Sequence, residues 1–363
     1  MKVFDYMSKY NHEQIIYFYD KTTGLKGITA IHDTTLGPAL GGTRLFDYQS
    51  EDDALFDVVR LSRGMTYKCA AAFCNCGGGK TVLLGDPQKV KNEAYLRAYG
   101  RFLQSLNGRF YTGEDMNINE HDVDFILNET SYVNGRSNMS GNPSPLTAYG
   151  VYWGMKASAK EKWNDNSLTG KVIAVQGVGA VGFALCEYLH KEGAKLIITD
   201  IDSEKMKKTV KTFQAVTVNP DDIYSVNCDI FSPNSIGAIL NDDTIPQLNC
   251  AIVAGAANNV LLEEKKHGDM LMKRGILYAP DYVINAGGVI NVYQEFFPPY
   301  NRQATLKIIE KIYDRLLQVF AYAKKHGINT QLAANQFSEE RIRLIGAIQK
   351  NFLANPRTNI KNQ

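Results

Sequence analysis

Residues 172–182 read VIAVQGVGAVG, an apolar run followed by three glycines in the pattern G-x-G-x-x-G. The apolar run predicts a buried strand, and the residues that follow predict a helix. Gly177 would allow a tight turn, Gly179 a close approach of the backbone to phosphate, and Gly182 close packing of the helix. Amides at the start of such a helix bind phosphate groups, so the stretch predicts a dinucleotide site. The predicted cofactor loop is Gly177, Val178, Gly179, Ala180, Val181 and Gly182.

The next strand-like run, Leu196–Thr199, ends in an acidic residue, Asp200. An acid about 20 residues beyond the glycines accepts ribose hydroxyls. Because a carboxylate there also repels a 2′-phosphate, the sequence predicts NAD rather than NADP. Asp202 could contribute to this contact, or it could cap the helix that follows.

Alternating strand and helix patterns extend through the middle of the chain. Further strand-like runs occupy residues 229–231, 251–254 and 276–279. Short apolar strands separated by amphipathic helices predict a parallel, doubly wound sheet of the Rossmann type.

The N-terminal part has a different pattern, which predicts an α+β fold. Predicted elements there are strands at 25–33 and 81–84 and helices at 50–64 and 91–106. Glycine, proline, asparagine and serine cluster at 134–145, which predicts a linker. A helix is predicted at 147–162, and the chain becomes helical again after Tyr282, at 301–325 and 338–352.

Composition excludes several classes of function. A chain of 363 residues is long enough for two domains. Its net charge of +2 gives no electrostatic case for nucleic acid or an anionic membrane. The N-terminus lacks a signal-peptide pattern, and no run approaches the length of a membrane span, so we expect a cytoplasmic protein. The cysteines at 69, 74 and 76 do not match a zinc motif, so we expect buried thiols and no metal.

Two lysines lie beside small residues, where lysine is uncommon. Lys68 follows GMTY and Lys80 follows GGG, and AAAF lies between them. A lysine held in apolar surroundings near a second cation has a lowered pKa, which would allow it to act as a base near neutral pH. The acidic pair Glu114–Asp115 could cap a helix or lie in a surface turn. Beside two lysines it is also a candidate proton carrier.

Several motifs together resemble the Glu/Leu/Phe/Val dehydrogenase family. They are LGPALGGTR at 36–44, GMTYK at 64–68, GGGK at 77–80, SGNPSP at 140–145, TAYGVY at 147–152 and YAPDYVINAGGVINV at 278–292. The resemblance spans nearly the whole chain. It implies NAD-dependent, reversible oxidative deamination of leucine and other branched-chain L-amino acids to 2-oxo acids and ammonia.

The resemblance also implies a role for individual residues. Lys68 would bind the substrate carboxylate, Lys80 would activate water, and Asp115 would move protons to and from the substrate nitrogen. Further substrate contacts would come from Leu40, Gly41, Gly42, Met65, Gly113, Asn285, Val289 and Val292. Further cofactor contacts would come from Thr147, Ala254, Asn258 and Asn259.

Substrate size stays open at this point. Leu40, Val289 and Val292 are apolar, and an apolar pocket excludes glutamate, whose side-chain carboxylate would need a paired cation. Gly113 is a departure from the family members that act on leucine, and it would enlarge the pocket, so phenylalanine is the alternative substrate. A non-catalytic NAD-binding module is the alternative from another class, although Lys68, Lys80 and Asp115 are all present.

The resemblance implies a domain organisation as well. A substrate-binding and oligomerisation domain would span 1–140 and be completed by helices at 326–363. The NAD-binding domain would span 141–325. The chain would form a homo-oligomer, either an octamer or a dimer.

Overall fold

A computed structural model describes residues 2–348 of the chain. Its N-terminal part mixes helices and strands, as predicted. The elements are α1 (Val3–Tyr10), β1 (Gln14–Asp20), β2 (Leu25–Asp33), β3 (Ala39–Leu40), β4 (Thr43–Phe46), α2 (Glu51–Ala71), β5 (Gly77–Leu84), α3 (Pro87–Val90), α4 (Glu93–Ser105), β6 (Phe110–Tyr111) and α5 (Glu120–Leu127).

The first sheet has the strand order β1-β2-β5-β3-β6, with β4 also paired to β5. Strand β5 begins at Gly77, whereas the sequence predicted a strand only from Thr81. The glycines belong to the strand because α2 packs directly on their backbone. A Cβ on Gly78 would lie 2.1 Å from the amide nitrogen of Thr66. Lys80 is therefore held on a central strand, not in a loop.

Helix α2 is longer than the predicted 50–64. Ser50 caps it by accepting a hydrogen bond from the Asp53 amide, and it continues through Gly64 to Ala71. Gly64 does not end the helix, because the buried face continues with Thr66, Cys69 and Ala70. The extension carries Met65 and Lys68 on the helix that lies beside β5.

The second part of the chain forms the predicted parallel sheet. Its elements are α6 (Ser144–Trp163), β7 (Val172–Gln176), α7 (Ala180–Lys191), β8 (Lys195–Thr199), α8 (Ser203–Phe213), β9 (Val216–Thr217), β10 (Ile230–Pro233), β11 (Ile252–Val253), α9 (Glu264–Lys273), β12 (Leu277–Tyr278), α10 (Asp281–Ile284), α11 (Gly287–Tyr293), α12 (Arg302–Glu310), α13 (Ile312–His326) and α14 (Thr330–Ile348). The order is β12-β11-β10-β7-β8-β9, with every pair parallel. This confirms a doubly wound α/β sheet; β9 was not predicted.

The C-terminal helices return to the first sheet. Helix α14 begins at Thr330, earlier than the predicted Ser338, and the end of the prediction at residue 352 lies outside the described residues. Tyr67 on α2 donates a 2.6 Å hydrogen bond to Glu339 on α14. The chain therefore crosses to the second sheet and comes back. No helix within residues 2–348 is long and apolar enough to span a membrane.

Candidate active site

A cleft of about 860 Å³ lies between the two sheets. One wall consists of α2, β5 and the segment after β6. The other consists of residues that follow the carboxyl ends of β7, β10, β11 and β12, where open α/β sheets bind ligands. The predicted residues that line the cleft are Leu40, Gly41, Gly42, Met65, Lys68, Lys80, Gly113, Asp115, Thr147, Val181, Asn258, Asn259, Asn285, Val289 and Val292.

Lys80 and Asp115 form an ion pair inside this cleft. The Nζ atom of Lys80 lies 3.0 Å from Oδ2 of Asp115, and the lysine side chain is only 6% exposed. The same Oδ2 atom accepts a 2.9 Å hydrogen bond from Nε of Arg44. One carboxylate oxygen of Asp115 thus contacts two cationic groups, the Lys80 ammonium and the Arg44 guanidinium.

Arg44 also lines the cleft and was not predicted from the sequence as a site residue. Besides Asp115, its guanidinium bonds Oδ2 of Asp57 at 2.9 Å, and Asp57 accepts a 2.6 Å hydrogen bond from Tyr48. Arg44 lies on β4, Asp57 lies on α2, and Tyr48 lies in the segment between these two elements. The contact between Arg44 and Asp115 spans 71 residues of sequence, so no local pattern could predict it. The motif GGTR was the only signal in the sequence that included Arg44.

The charges in this group set its protonation. Burial alone would raise the pKa of Asp115, but the charges of Lys80 and Arg44 outweigh burial and hold that pKa at about 2. Burial lowers the pKa of Lys80, and the attraction of Asp115 offsets part of that effect. The pair therefore combines an ionised carboxylate with a lysine whose proton is held less tightly than in water.

Lys68 lies on α2 and faces the second sheet across the cleft. Its Nζ atom donates a 3.0 Å hydrogen bond to Oδ1 of Asn258, which also accepts a 2.9 Å hydrogen bond from Nδ2 of Asn285. Burial lowers the pKa of Lys68 to about 8, against the attraction of Asp281 and with the repulsion of Lys80. The Oδ1 atom of Asn285 is buried without a hydrogen-bond partner among the described residues.

The apolar part of the cleft is shaped by backbone as well as by side chains. A Cβ on Gly41 would lie 1.9 Å from the Gly79 carbonyl oxygen, and one on Gly42 would lie 2.3 Å from that of Glu114. A Cβ on Gly113 would approach the Asn134 backbone carbonyl oxygen at 3.0 Å, a tight contact. Gly41 and Gly42 are thus required by packing, and a side chain at Gly113 would need the Asn134 backbone to shift by a few tenths of an ångström.

Glu114 is a second cleft residue to which the sequence analysis gave no separate role. Its Oε1 atom is buried and lacks a hydrogen-bond partner among residues 2–348. Burial, with the nearby charges of Glu120 and Asp122, raises the pKa of Glu114 to about 7. Its signal in the sequence was only its position beside Asp115.

The glycine loop has the geometry expected of a phosphate-binding turn. Gly177 has a φ of +92°, and a Cβ on Gly182 would lie 2.0 Å from the Gly177 carbonyl oxygen. A Cβ on Gly179, by contrast, would meet nothing within 4 Å, so the start of α7 is open to a ligand. The loop therefore fits a dinucleotide pyrophosphate.

Asp200 and Asp202 both follow β8, and their hydrogen-bond partners differ. Asp200 accepts hydrogen bonds from the Val178 amide at 2.7 Å and the Asp202 amide at 2.9 Å. It ties the glycine loop to the end of β8 and keeps further lone pairs for a ligand. Asp202 caps α8 through the amides of Glu204 and Lys205.

Ala254 and the cysteines at 69, 74 and 76 do not line the cleft. Ala254 is fully buried in the core, and its contact with the cofactor stays a prediction. Cys69, Cys74 and Cys76 are buried thiols, and burial raises the pKa of each. The cleft also includes a loop that sequence reasoning missed, residues 235–238 after β10.

Comparison with known proteins identifies two family regions. The description "Glu/Leu/Phe/Val dehydrogenase, dimerisation domain" matches residues 12–132, and "Glutamate/Leucine/Phenylalanine/Valine dehydrogenase" matches residues 142–345. Leucine dehydrogenase of Thermoactinomyces intermedius is 57% identical, over 98% of each chain. Phenylalanine dehydrogenase of Caldalkalibacillus thermarum is 49% identical, over 93% of each. The crystal structure of L-tryptophan dehydrogenase from Nostoc punctiforme superposes with a TM-score of 0.81 at 47% identity, covering 94% of this chain and 99% of that one.

Proposed function

The chain belongs to the Glu/Leu/Phe/Val dehydrogenase family, and on this basis we propose that it catalyses the NAD-dependent oxidative deamination of L-leucine and other branched-chain L-amino acids. The products are 2-oxo acids and ammonia, and the reaction is reversible. The observation that carries the proposal is the buried Lys80–Asp115 ion pair beside Lys68 in a cleft that ends at the glycine loop.

Lys68 is proposed to bind the substrate carboxylate. Its ammonium group is partly buried and bonded to a neutral partner, Asn258, so it can also pair with an anion. A charge-assisted hydrogen bond of this kind orients the α-carbon as well as adding affinity. Asn285 shares the Asn258 oxygen and would keep that amide in place.

Lys80 is proposed to take a proton from the water that adds to the imine carbon. Burial makes its proton easier to release, and Asp115 lies 3.0 Å away to receive or return it. Asp115 is ionised at neutral pH, so it can accept a proton from the substrate ammonium group and later return one to the departing ammonia. Arg44 is proposed to hold Asp115 in this state and position.

NAD is proposed as the dinucleotide, and it would supply the hydride acceptor when bound. The glycine loop, residues 177–182, would hold the pyrophosphate, and Asp200 would accept the ribose hydroxyls. Thr147, Asn258 and Asn259 line the cleft near the start of α6 and the end of β11, where they would orient the nicotinamide end.

Leucine is proposed ahead of phenylalanine because of the comparison with relatives. The leucine dehydrogenase is 57% identical and the phenylalanine dehydrogenase 49% identical. The pocket residues Leu40, Val289 and Val292 are apolar and suit either side chain. Gly113 lines the cleft and has no side chain, which keeps phenylalanine as the second candidate.

We further propose the organisation and setting predicted from the sequence. The substrate domain would comprise residues 1–140 with the C-terminal helices from 326, and the cofactor domain 141–325. The contact of α14 with α2 supports this division, although residues 349–363 lie outside the described part. A cytoplasmic homo-oligomer, a dimer or an octamer, would agree with the dimerisation domain matched at residues 12–132.

A substrate panel tests the proposal. The purified protein is mixed with NAD and leucine, valine, isoleucine or phenylalanine at alkaline pH, and NADH absorbance is followed, with NADP as the control cofactor. We expect the highest kcat/KM with leucine and NAD. No NADH with any of the four amino acids would favour a non-catalytic NAD-binding module, and a preference for phenylalanine would overturn the substrate assignment.

A further inference from the structure

Two cysteines stand side by side at the edge of the second sheet opposite the cleft. A bridge pairs Asn227 with Asn249, and the ladder between β10 and β11 pairs Ile230 with Ile252. Both pairings have the same sequence offset, which makes Cys228 and Cys250 cross-strand neighbours. The Cys228 amide donates a 3.1 Å hydrogen bond to the Asn249 carbonyl oxygen, which fixes the backbones at this point.

This arrangement suits a covalent link between the two side chains. Paired residues on neighbouring strands point to the same face, and the strands lie about 4.7–4.9 Å apart. Disulfides usually join Cα atoms about 4.4–6.8 Å apart, so the strands need little movement.

Cys228 and Cys250 differ from the other cysteines in their exposure to solvent. Cys228 and Cys250 are half-buried, whereas Cys69, Cys74, Cys76 and Cys186 are buried. The neighbouring Cys228 side chain lowers the pKa of Cys250, against the effect of burial. A thiol with more thiolate character is the better nucleophile, so Cys250 would react first.

We propose that Cys228 and Cys250 form a dithiol modification site that closes to a disulfide with hydrogen peroxide as the oxidant. The Cys250 thiolate attacks one peroxide oxygen and breaks the O–O bond, which gives a sulfenic acid and one water after protonation. The Cys228 thiol then attacks the Cys250 sulfur, forms the S–S bond and releases a second water. Two thiols lose two electrons and two protons, and hydrogen peroxide is reduced to two waters.

The position of the pair determines what the link would change. Both cysteines precede their strands, whereas the cleft lies beyond the opposite, carboxyl ends of β10 and β11. The disulfide would close the loop 228–250, which contains the cleft residues 235–238, but the two linked side chains lie at the opposite ends of β10 and β11 from the cleft. We therefore expect kcat and KM to stay within about twofold, while the closed loop restricts the unfolded chain and raises Tm by several degrees.

The test uses the reduced full-length protein treated with stoichiometric hydrogen peroxide, then alkylated under denaturing conditions and mapped by peptide mass. The expected result is one linked peptide pair containing Cys228 and Cys250, lighter by two hydrogens, with a higher Tm that dithiothreitol reverses. Cys228→Ser and Cys250→Ser should each lose the link and the Tm shift, whereas Cys186→Ser should keep both.

Two outcomes would overturn the proposal. One is that both thiols stay free after this treatment. The other is that each is oxidised separately to a sulfinic acid without a linked peptide. These readouts do not depend on dehydrogenase activity, so their failure is distinguishable from failure of the proposed function.

Discussion

The carboxylate of Asp115 is bonded to the ammonium group of Lys80 at 3.0 Å, and the same oxygen accepts the guanidinium of Arg44. Burial acts on both partners, raising the pKa of the acid and lowering that of the lysine, but the charges of Lys80 and Arg44 together keep the acid ionised. Asp115 can therefore accept a proton, and the neighbouring Lys80 ammonium group releases its proton more easily than a lysine in water. This is the arrangement from which the proposed deamination chemistry follows.

Removal of the Arg44 charge should change the pH dependence of deamination. In Arg44→Met, Lys80 alone opposes the effect of burial, so the pKa of Asp115 rises. Because the proposed reaction needs ionised Asp115, the acidic limb of the kcat/KM profile should move to higher pH, and the loss of kcat/KM should be largest under acidic conditions. Arg44→Lys should recover part of the loss. An unchanged acidic limb in a folded Arg44→Met protein would show that Arg44 does not tune Asp115.

Lys68→Met should affect substrate affinity more than turnover. The variant loses the cation proposed to pair with the substrate carboxylate, and hydrogen bonds to charged groups contribute about 1.5–3 kcal/mol. We expect the KM for leucine to rise at least tenfold, with NAD binding unchanged in a direct titration. Lys89→Met is a suitable control, because the Lys89 side chain is 81% exposed. A KM close to wild type would contradict the assigned role.

Gly113→Ala should narrow the substrate range. The added methyl would meet the Asn134 backbone carbonyl oxygen at 3.0 Å, so the cleft wall formed by Gly113 and Asn134 must shift to accommodate it. Discrimination by one such group is typically about 1–3 kcal/mol, so the leucine-to-phenylalanine ratio of kcat/KM should rise about tenfold. Melting temperature, measured in parallel, separates pocket effects from strain. A ratio that stays constant would remove Gly113 from the specificity argument.

Asp200→Asn should weaken the preference for NAD over NADP. The amide oxygen can still accept from the Val178 amide, so the loop keeps its support, but the charge that repels a 2′-phosphate is gone. The NADP-to-NAD ratio of kcat/KM should increase about tenfold. Asp202→Asn provides the comparison, since Asp202 caps α8 and should leave the cofactor preference unchanged. Equal ratios in Asp200→Asn and wild type would argue against a ribose contact.

Local sequence patterns predicted much of this architecture. Short-range periodicity and glycine spacing were sufficient for the parallel sheet and the turn at Gly177, because those features depend on neighbouring residues. The motifs that contain Lys68 and Lys80 resemble the Glu/Leu/Phe/Val dehydrogenase family, and this resemblance predicted both lysines as site residues. The strand at Gly77–Lys80 was missed, since glycines have low strand propensity and only packing of α2 on their backbone explains it.

Contacts between residues far apart in the chain could not be predicted from local sequence patterns. The Arg44–Asp115 contact joins residues far apart in the chain, and nothing near Arg44 indicates which acid it meets. The burial of Ala254 depends likewise on how the sheet is covered. The unpartnered Oε1 of Glu114 is a property of the folded cleft alone.

The most direct test of the account is the turnover of Lys80→Ala with leucine and NAD, followed as NADH absorbance beside the wild-type protein. General base catalysis typically contributes about 10²–10⁴-fold, so kcat should fall by at least a hundredfold while circular dichroism and NAD binding stay unchanged. Wild-type protein should reduce NAD readily under the same conditions. A folded Lys80→Ala protein that retained more than a few per cent of wild-type kcat would contradict the assignment of Lys80 as the base.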